Sequence, residues 1–242
     1  GHKRLSGNDR YKTAVAISKS GWNSSHYAVL ARGDDYADAL CAGPLAKKYG
    51  APILLTITDK LKQDTKAELK RLGVEKVFII GGHAAISKKV ENALENEGIE
   101  FERIYGAGRY ETSVKIAEKL GDVKKAALAT GLDFPDALSI SAVAAKLGMP
   151  ILLTQKNSLP DEVEEYIEEK DITEIYVIGG QGVIGKGVEE LLPHAVRLGG
   201  NDRYETNTKV MEYFEDELDF VNIYVAIGGG PKGNEFADAL AG

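Results

Sequence analysis

The 242-residue sequence predicts an α/β protein made of small tandem modules, each built around a parallel β-sheet. Short β-rich runs alternate with helical patterns, and whole phrases return after a constant number of residues. Strand–helix alternation with short connections is typical of parallel strands joined by right-handed crossovers. We therefore expect modules of about four strands each, two of them complete and a third partial.

The repeat appears as phrases that return at one offset. One phrase occurs three times, as 'ARGDDYADAL' (31–40), 'ATGLDFPDAL' (129–138) and 'GNEFADAL' (233–240). Three pairs of equivalent residues lie 98 positions apart: Asp38 and Asp136, Pro52 and Pro150, Gly81 and Gly179. Equal offsets indicate duplication of an entire folding unit. We predict complete modules at residues 1–102 and 103–196, and a partial module at 197–242.

Four runs in the first module have the composition of strands: 'HYAVLARG' (26–33), 'PILLT' (52–56), 'KVFIIGG' (76–82) and 'IEFERI' (99–104). The second and third runs are apolar throughout, which is typical of strands covered on both faces. A helical stripe follows the third run and ends before Gly98; its apolar positions are Ile86, Val90, Ala93 and Leu94.

The partial third module contains a helical pattern, 'RYETNTKVMEYFEDEL' (203–218), and a strand-like run, 'NIYVAIG' (222–228). A single strand with one or two helices cannot cover both of its own faces. We expect this segment to dock on the second module. The alternative is homo-association, in which it pairs with the same region of another chain.

An arginine–tyrosine phrase begins a helix in every module, where 'NDRYKT', 'AGRYET' and 'NDRYET' follow a turn. Asp9 and Asp202 are predicted helix caps, and Gly108 stands at that position in the second module. The arginines are Arg10, Arg109 and Arg203. Because helix N-termini disfavour cations, each arginine is expected to have a specific anionic partner.

Pairs of acids recur at the start of the helix after the first strand of each module: Asp35 and Asp38, Asp133 and Asp136, Glu235 and Asp238. Their position also suits a catalytic or metal-binding carboxylate pair. Helix capping by the first acid, or an ion pair with the arginine of the same module, are the favoured interpretations. The ion-pair version places Arg10 near Asp35 or Asp38, and Arg109 near Asp133 or Asp136.

Composition excludes several classes of function. The net charge is −7, and only residues 1–102 are net basic, with 16 Lys and Arg against 13 Asp and Glu. This argues against a nucleic-acid partner, which requires a concentrated basic face. No apolar run approaches the roughly 20 residues of a membrane helix, so membrane insertion is not expected. The 'GQGVIG' motif at 180–185 lacks the downstream acid of a dinucleotide site.

Four phrases in fixed order carry a family resemblance: 'RLSGNDRYKTA', 'GDDYADAL', 'PILLT' and 'VFIIGGHAAIS'. Together they resemble the cell-wall-binding type 2 repeat of clostridial and related Gram-positive surface proteins. The resemblance implies three modules in pseudo-threefold packing, each a Toprim-like sandwich, on a secreted protein of the cell wall or cell surface. It also implies non-covalent, non-enzymatic binding of an anionic secondary wall polymer.

The resemblance and the repeat together indicate candidate binding residues. Candidate polymer-binding residues are Arg10, Tyr11, Arg109, Tyr110, Arg203 and Tyr204. Candidate site-organising acids are Asp35, Asp38, Asp133, Asp136, Glu235 and Asp238. We expect no cofactor or resident metal, although a bridging divalent cation would help an acidic chain to meet a polyanion.

Two rival functions stay open at this level. One is a surface-layer module that mainly binds its own neighbours. The other is a Toprim-like or phosphate-binding α/β enzyme. Toprim chemistry uses metal-binding acids arranged as Asp-x-Asp, and no two aspartates in this sequence lie two positions apart. The enzyme is therefore the weaker rival.

Overall fold

The computed structural model describes residues 9–132 and 138–218, which form helices and strands in alternation. The helices are α1 (Arg10–Gly21), α2 (Tyr36–Lys48), α3 (Gln63–Leu72), α4 (Lys88–Asn96), α5 (Arg109–Lys119), α6 (Leu138–Leu147), α7 (Asp161–Glu169), α8 (Lys186–Glu189) and α9 (Arg203–Tyr213). The strands are β1 (Tyr27–Arg32), β2 (Ile53–Thr56), β3 (Lys76–Ile80), β4 (Glu100–Ile104), β5 (Lys125–Thr130), β6 (Ile151–Thr154), β7 (Glu174–Ile178) and β8 (Ala195–Leu198). Among these helices, none is both long and apolar enough to cross a membrane.

The strands form two parallel sheets with the same topology. The first sheet has the order β2-β1-β3-β4 and the second has the order β6-β5-β7-β8. Even the register is repeated, since Val29 pairs with Ile53 in the first sheet and Ala127 pairs with Ile151 in the second. The predicted α/β fold and its duplication are confirmed. We call the units built on these sheets the first and second modules.

Each sheet has one face covered by its own helices. In the first module, Leu30, Leu54 and Ile79 pack against residues of α3 and α4 such as Leu69 and Leu94. All five side chains are fully buried. This explains why the apolar runs lack an alternating pattern, because the opposite face of each strand is buried as well.

The second face of each sheet contributes to a core that the two modules share. Val29 and Phe78 of the first sheet lie in one buried cluster with Ala127 and Tyr176 of the second. Helices α2 and α6 pack together inside this cluster. Their contact is close, since the Ser141 hydroxyl donates a 3.4 Å hydrogen bond to the Leu40 carbonyl. The modules are therefore joined by an apolar core rather than by a linker.

The helix that opens each repeat covers the edge of a sheet. Helix α5 lies over the edge strand β6 and also contacts α2 of the first module. Its Ser113 hydroxyl accepts a 3.2 Å hydrogen bond from the backbone N–H of Leu153, on β6. The arginine–tyrosine phrase at the start of α5 is thereby placed between the two modules.

The start of the third module docks on the second, as expected. Val210, Phe214 and Leu218 are buried in the shared core, and α9 packs against α6. The Phe214 ring meets Tyr176 of β7 edge-on, with centroids 5.0 Å apart. This confirms docking for residues 203–218. The strand predicted at 222–228, and with it the expected pseudo-threefold closure, lies outside the described residues.

Candidate functional site

The recurrent arginine holds the carboxyl end of a strand in its own module. Arg10 donates from Nη1 to the carbonyl of Gly33, directly after β1, and Arg109 makes the same bond to Gly131 after β5. A backbone carbonyl at a strand end has no partner along its own strand, and the guanidinium supplies one. The arginine thus ties the start of one helix to the end of one strand.

Arg109 also reaches into the neighbouring module. Its Nη2 donates a 2.9 Å hydrogen bond to Oδ2 of Asp35, whose side chain is 26% exposed against 32% for Arg109. Asp35 uses its other oxygen to cap α2, accepting from the backbone N–H of Ala37 at 3.2 Å. The contact crosses between the modules because α5 lies between the sheets and directs its first turn at α2. The acids expected to pair with Arg109 in its own module, Asp133 and Asp136, lie outside the described residues.

The expected ion pair between Arg10 and Asp35 or Asp38 is wrong. Within residues 9–132 and 138–218, no carboxylate lies within ion-pairing distance of Arg10. Its guanidinium lies over the ring of Tyr36 instead, 5.1 Å from the centroid. We call the cluster of the side chains of Arg10, Arg32, Asp35, Tyr36 and Arg109 the carboxyl-end crevice, because it lies beside the carboxyl end of β1.

The recurrent tyrosines have two different environments. The rings of Tyr11 and Tyr110 lie on the backbone of Gly33 and Gly131; a Cβ at either glycine would be 2.5 or 2.6 Å from the Cε1 atom of the ring. Burial raises the pKa of Tyr11, and both tyrosines act as packing groups. Tyr204 is 67% exposed, and Nη2 of Arg203 donates to its hydroxyl at 3.0 Å.

Asp38 is the acid whose ionisation the fold disturbs most clearly. Burial raises the pKa of its carboxyl to about 6; the charge of Asp35 adds to the rise, and Arg32 and Arg109 oppose it. A Cβ placed on Gly81, where φ is +104°, would lie 2.9 Å from Oδ2 of Asp38. The carboxyl is therefore enclosed between α2 and the turn after β3.

The rest of the repeated phrase fastens the turn before each helix. In the second module the backbone N–H of Ala107 donates to Glu111 at 2.8 Å, and that of Gly106 donates to Thr112 at 3.0 Å. The third module repeats both bonds at the same distances, using Glu205 and Thr206. Asp9 and Asp202 cap α1 and α9 as predicted. These contacts explain the Glu-Thr part of the phrase in the second and third modules.

A second recurrent arginine was missed by the sequence reasoning. Arg103 on β4 donates to Glu91 at 2.8 Å and to the Gly81 carbonyl at 2.7 Å, and its side chain is only 8% exposed. Burial opposes ionisation of Glu91, but hydrogen bonds from Arg103 and His83 outweigh it and lower the pKa of that carboxyl. Arg197 and Glu189 form the same pair in the second module. The signal in the sequence was an arginine one residue before the end of each final strand.

The glycine-rich loop at 180–185 has structural partners. It leads into α8, which has four residues, and Arg197 donates to the carbonyls of Gly179 and Ile184 at 3.0 and 2.8 Å. Such a short helix provides no extended dipole for a phosphate. The loop is held by Arg197 as part of the fold.

Several predicted site residues cannot be placed. Asp133, Asp136, Glu235 and Asp238 lie outside the described residues. Among the residues that are described, no group of three or more His, Cys, Asp or Glu side chains is arranged to hold a metal ion. The described residues of the carboxyl-end crevice are therefore three arginines, one tyrosine and Asp35.

The duplicated sheets, the shared core and the recurrent arginine contacts define a tandem-repeat α/β protein. The chain belongs to the family 'Cell wall binding domain 2 (CWB2)', which it matches over residues 4–91, 103–189 and 197–242. The family repeat is a cell-wall-binding unit, and the chain consists almost entirely of it.

Three similar proteins are each longer than the present chain. The N-acetylmuramoyl-L-alanine amidase LytC of Bacillus subtilis is 37% identical over 240 residues, which are 99% of this chain and 47% of LytC. An amidase enhancer from the same organism is 36% identical over 242 residues, 99% of this chain and 32% of the relative. Cwp6 from Clostridium difficile has a TM-score of 0.84 at 34% identity, covering 99% of this chain and 40% of Cwp6. The chain thus spans less than half the length of these relatives.

Proposed function

We propose that the chain attaches its protein to an anionic polymer of the cell wall, and that the polymer is bound at the carboxyl-end crevice. Membership of the cell-wall-binding family supports attachment to the wall. Ligands of parallel α/β folds bind outside the carboxyl ends of the strands. The crevice lies at that edge of the first sheet and is completed by the second module.

The difference between Arg10 and Arg109 is the observation that carries this proposal. Both hold a strand carbonyl, but among the described residues only Arg109 has a carboxylate against it, that of Asp35. In the described part of the chain Arg10 has no carboxylate within ion-pairing distance, and its guanidinium lies over the Tyr36 ring. A cation held rigidly by the fold is preorganised to bind a phosphate or carboxylate of a polymer.

Exposed aromatic rings support a sugar-containing polymer. Tyr204 is 67% exposed and Tyr105, which follows β4, is 53% exposed. A flat aromatic face can pack against a sugar ring while the hydroxyl at its edge makes hydrogen bonds, as that of Tyr204 does with Arg203. Tyr105 was not among the candidates, because its position in the second module is occupied by Gly199 and the repeat gives no signal there.

The proposal also concerns the longer protein to which these modules belong. The three repeats predicted at residues 1–102, 103–196 and 197–242 serve as binding modules of a secreted, wall-bound protein; the last strands of the first two end at Ile104 and Leu198. Any enzymatic activity is expected outside them, since more than half of the amidase LytC lies beyond its match to this chain. Homo-association through residues 197–242 remains a prediction; the docking of α9 on α6 supports an attachment within one chain.

The test is retention of the purified chain on isolated cell walls, with and without extraction of their anionic polymer. Arg10→Gln keeps a hydrogen-bond donor for Gly33 but removes the charge, and Arg109→Gln makes the same change where Asp35 already balances it. We expect at least a fivefold loss of retention for Arg10→Gln, a smaller loss for Arg109→Gln, and weaker binding as salt is raised.

The outcomes separate the competing functions. Equal retention of the two variants would contradict a binding role for Arg10. Unchanged retention on polymer-free walls would contradict the polymer. Self-association of the chain that is insensitive to the polymer, measured by sedimentation velocity, would favour the surface-layer function instead.

A further inference from the structure

The second module has an open apolar groove between α7 and the segment that follows α8. Its apolar lining consists of Leu159, Ile167, Ile172, Leu191, Leu192 and Pro193, and its volume is about 400 Å³. Leu191 is 58% exposed. Glu164, Glu168 and Asp171 border the groove. We call this surface the α7–α8 groove.

The groove exists because the second module is shorter than the first at this point. Glu91 and Glu189 are 98 positions apart, but Arg103 and Arg197 are only 94 apart, so four residues are missing between them. The corresponding helices have nine residues in α4 and four in α8. The missing residues fall in the segment that covers the corresponding place in the first module.

In the first module the place equivalent to the groove is covered by the end of α4, which is ion-paired to α3. Glu97, at the end of α4, accepts ion pairs from Lys66 and Lys70 of α3, each at 2.7 Å. Leu94 of the same helix is fully buried against Leu69. Leu94 has a counterpart in Leu192, 98 positions on, whereas residues 95–98 have none. The part that the second module lacks therefore includes the charge that pairs with Lys66 and Lys70.

The charges that face this place are positive in the first module and negative in the second. The offset of 98 places Glu164 and Glu168 at the positions of Lys66 and Lys70. In the described part of the chain neither glutamate has a cation within ion-pairing distance. Helix α7 reads 'DEVEEYIEE', with six acids and no base in nine residues. Like charges at this spacing repel one another, and a cation placed between them would relieve the repulsion.

We propose that the α7–α8 groove docks a short cationic, amphipathic helical segment of a partner protein. The segment places an aliphatic side chain against Leu191 and Ile167, and a lysine or arginine between Glu164 and Glu168. It occupies the place that the end of α4 fills in the first module, with the charges exchanged. The wall polymer is excluded as the occupant, because an anionic chain is repelled by this rim.

The groove and the carboxyl-end crevice lie on different sheets, at opposite ends of the strands. Asp171 and Ile172 precede β7 and Pro193 precedes β8, so the groove lies at the amino ends of the strands. Both surfaces can therefore be occupied at once. This site is independent of the polymer proposal, and the failure of either leaves the other standing.

The test uses a fluorescent peptide with the sequence of residues 88–98 carrying Glu97→Lys, titrated with the whole chain and followed by anisotropy. The control peptide has the unchanged sequence with Glu97. We expect the lysine peptide to bind at least tenfold more tightly than its parent, and less tightly as salt is raised. Leu191→Ser should weaken its binding several-fold by removing the exposed apolar contact.

Two double variants on α7 locate the binding. Glu164→Lys/Glu168→Lys restores the first module's residues and should abolish binding of the lysine peptide. Glu165→Lys/Glu169→Lys makes the same change of charge on the same helix, at positions that do not line the groove, and should retain most of it. Equal effects of the two variants, equal binding of the two peptides, or no binding of the lysine peptide at about 1 mM would overturn the proposal. So would self-association of the chain that Glu164→Lys/Glu168→Lys abolishes, because the occupant would then be a second copy.

Discussion

Arg109, at the start of the second module's first helix, donates a 2.9 Å hydrogen bond to Asp35, the cap of the first module's α2. The same guanidinium holds the carbonyl of Gly131 in its own module. One side chain therefore connects a strand end in one module with a helix start in the other. The contact ties the relative position of the two sheets to the residues that form the carboxyl-end crevice.

Replacing both partners should reveal this contact between modules. In a double-mutant cycle of Arg109→Ala and Asp35→Asn, we expect a coupling free energy of about 1 kcal/mol, because the pair is partly exposed. Asparagine retains the cap on α2, so the cycle isolates the charge. Urea unfolding measures each variant. A coupling near zero would show that Arg109 acts only on its own module.

The single variant Arg109→Ala should lower the free energy of unfolding by more than the coupling free energy. It removes the bond to the Gly131 carbonyl and leaves Asp35 without its cation, and we expect a loss of about 1–3 kcal/mol in the free energy of unfolding. Lys115→Ala on the same helix is the control. Its ion pair with Glu118 is exposed, and removing it should change stability by less than about 0.5 kcal/mol.

Gly131 is predicted to tolerate no side chain. A Cβ there would lie 2.6 Å from the Tyr110 ring, so Gly131→Ala should destabilise the chain by about 1–3 kcal/mol. Gly187→Ala serves as the control, because no atom lies within 4 Å of its Cβ position in α8. That substitution should be neutral or slightly stabilising. Comparable losses for both glycines in thermal unfolding would contradict the packing role of Tyr110.

Asp38 should make folding stability depend on pH. The folded state keeps this proton up to a pKa of about 6, whereas the ordinary value is 3.8. The unfolded chain therefore releases the proton first, and this contribution to stability is lost as the pH rises from about 4 to about 6. Above that range the penalty is constant, at most about 3 kcal/mol.

Asp38→Asn tests this directly, because asparagine carries no titrating proton. The variant should gain stability relative to the natural protein as the pH rises from about 4 to about 6, and the difference should stay constant at higher pH. Other carboxyls titrate in both proteins, so the difference in unfolding free energy is the quantity to measure. A difference independent of pH would show that Asp38 ionises normally.

Arg103 should be among the most sensitive charged positions in the first module. Its removal leaves Glu91 and the Gly81 carbonyl without their shared donor in a buried setting, and we expect Arg103→Ala to cost about 3 kcal/mol or more. Arg197→Ala should behave similarly in the second module. The combined variant Arg103→Met/Glu91→Gln removes both charges and should recover part of the loss. No recovery in urea unfolding would mean that the arginine acts through the carbonyl alone.

Much of the fold could be predicted because duplication shows the same local pattern twice. The apolar runs at 52–56 and 76–82 became β2 and β3, and the stripe ending before Gly98 became α4. Asp9 and Asp202 were predicted as caps and are caps, since capping depends only on neighbouring residues. The paired Arg103 and Glu91 were not predicted, because they meet only when β4 is placed beside β3 and α4.

The sequence by itself determined the order of strands and helices, the repeat, and membership of the cell-wall-binding family. It could not determine that Arg109 contacts Asp35 of the neighbouring module, because this contact depends on how the two modules pack. Only the tertiary structure decided this, by placing α5 between the two sheets and directing its first turn at α2. The same holds for the α7–α8 groove. The missing four residues are visible as a change of offset, but the surface they uncover depends on how Glu97 packs between Lys66 and Lys70 in the first module.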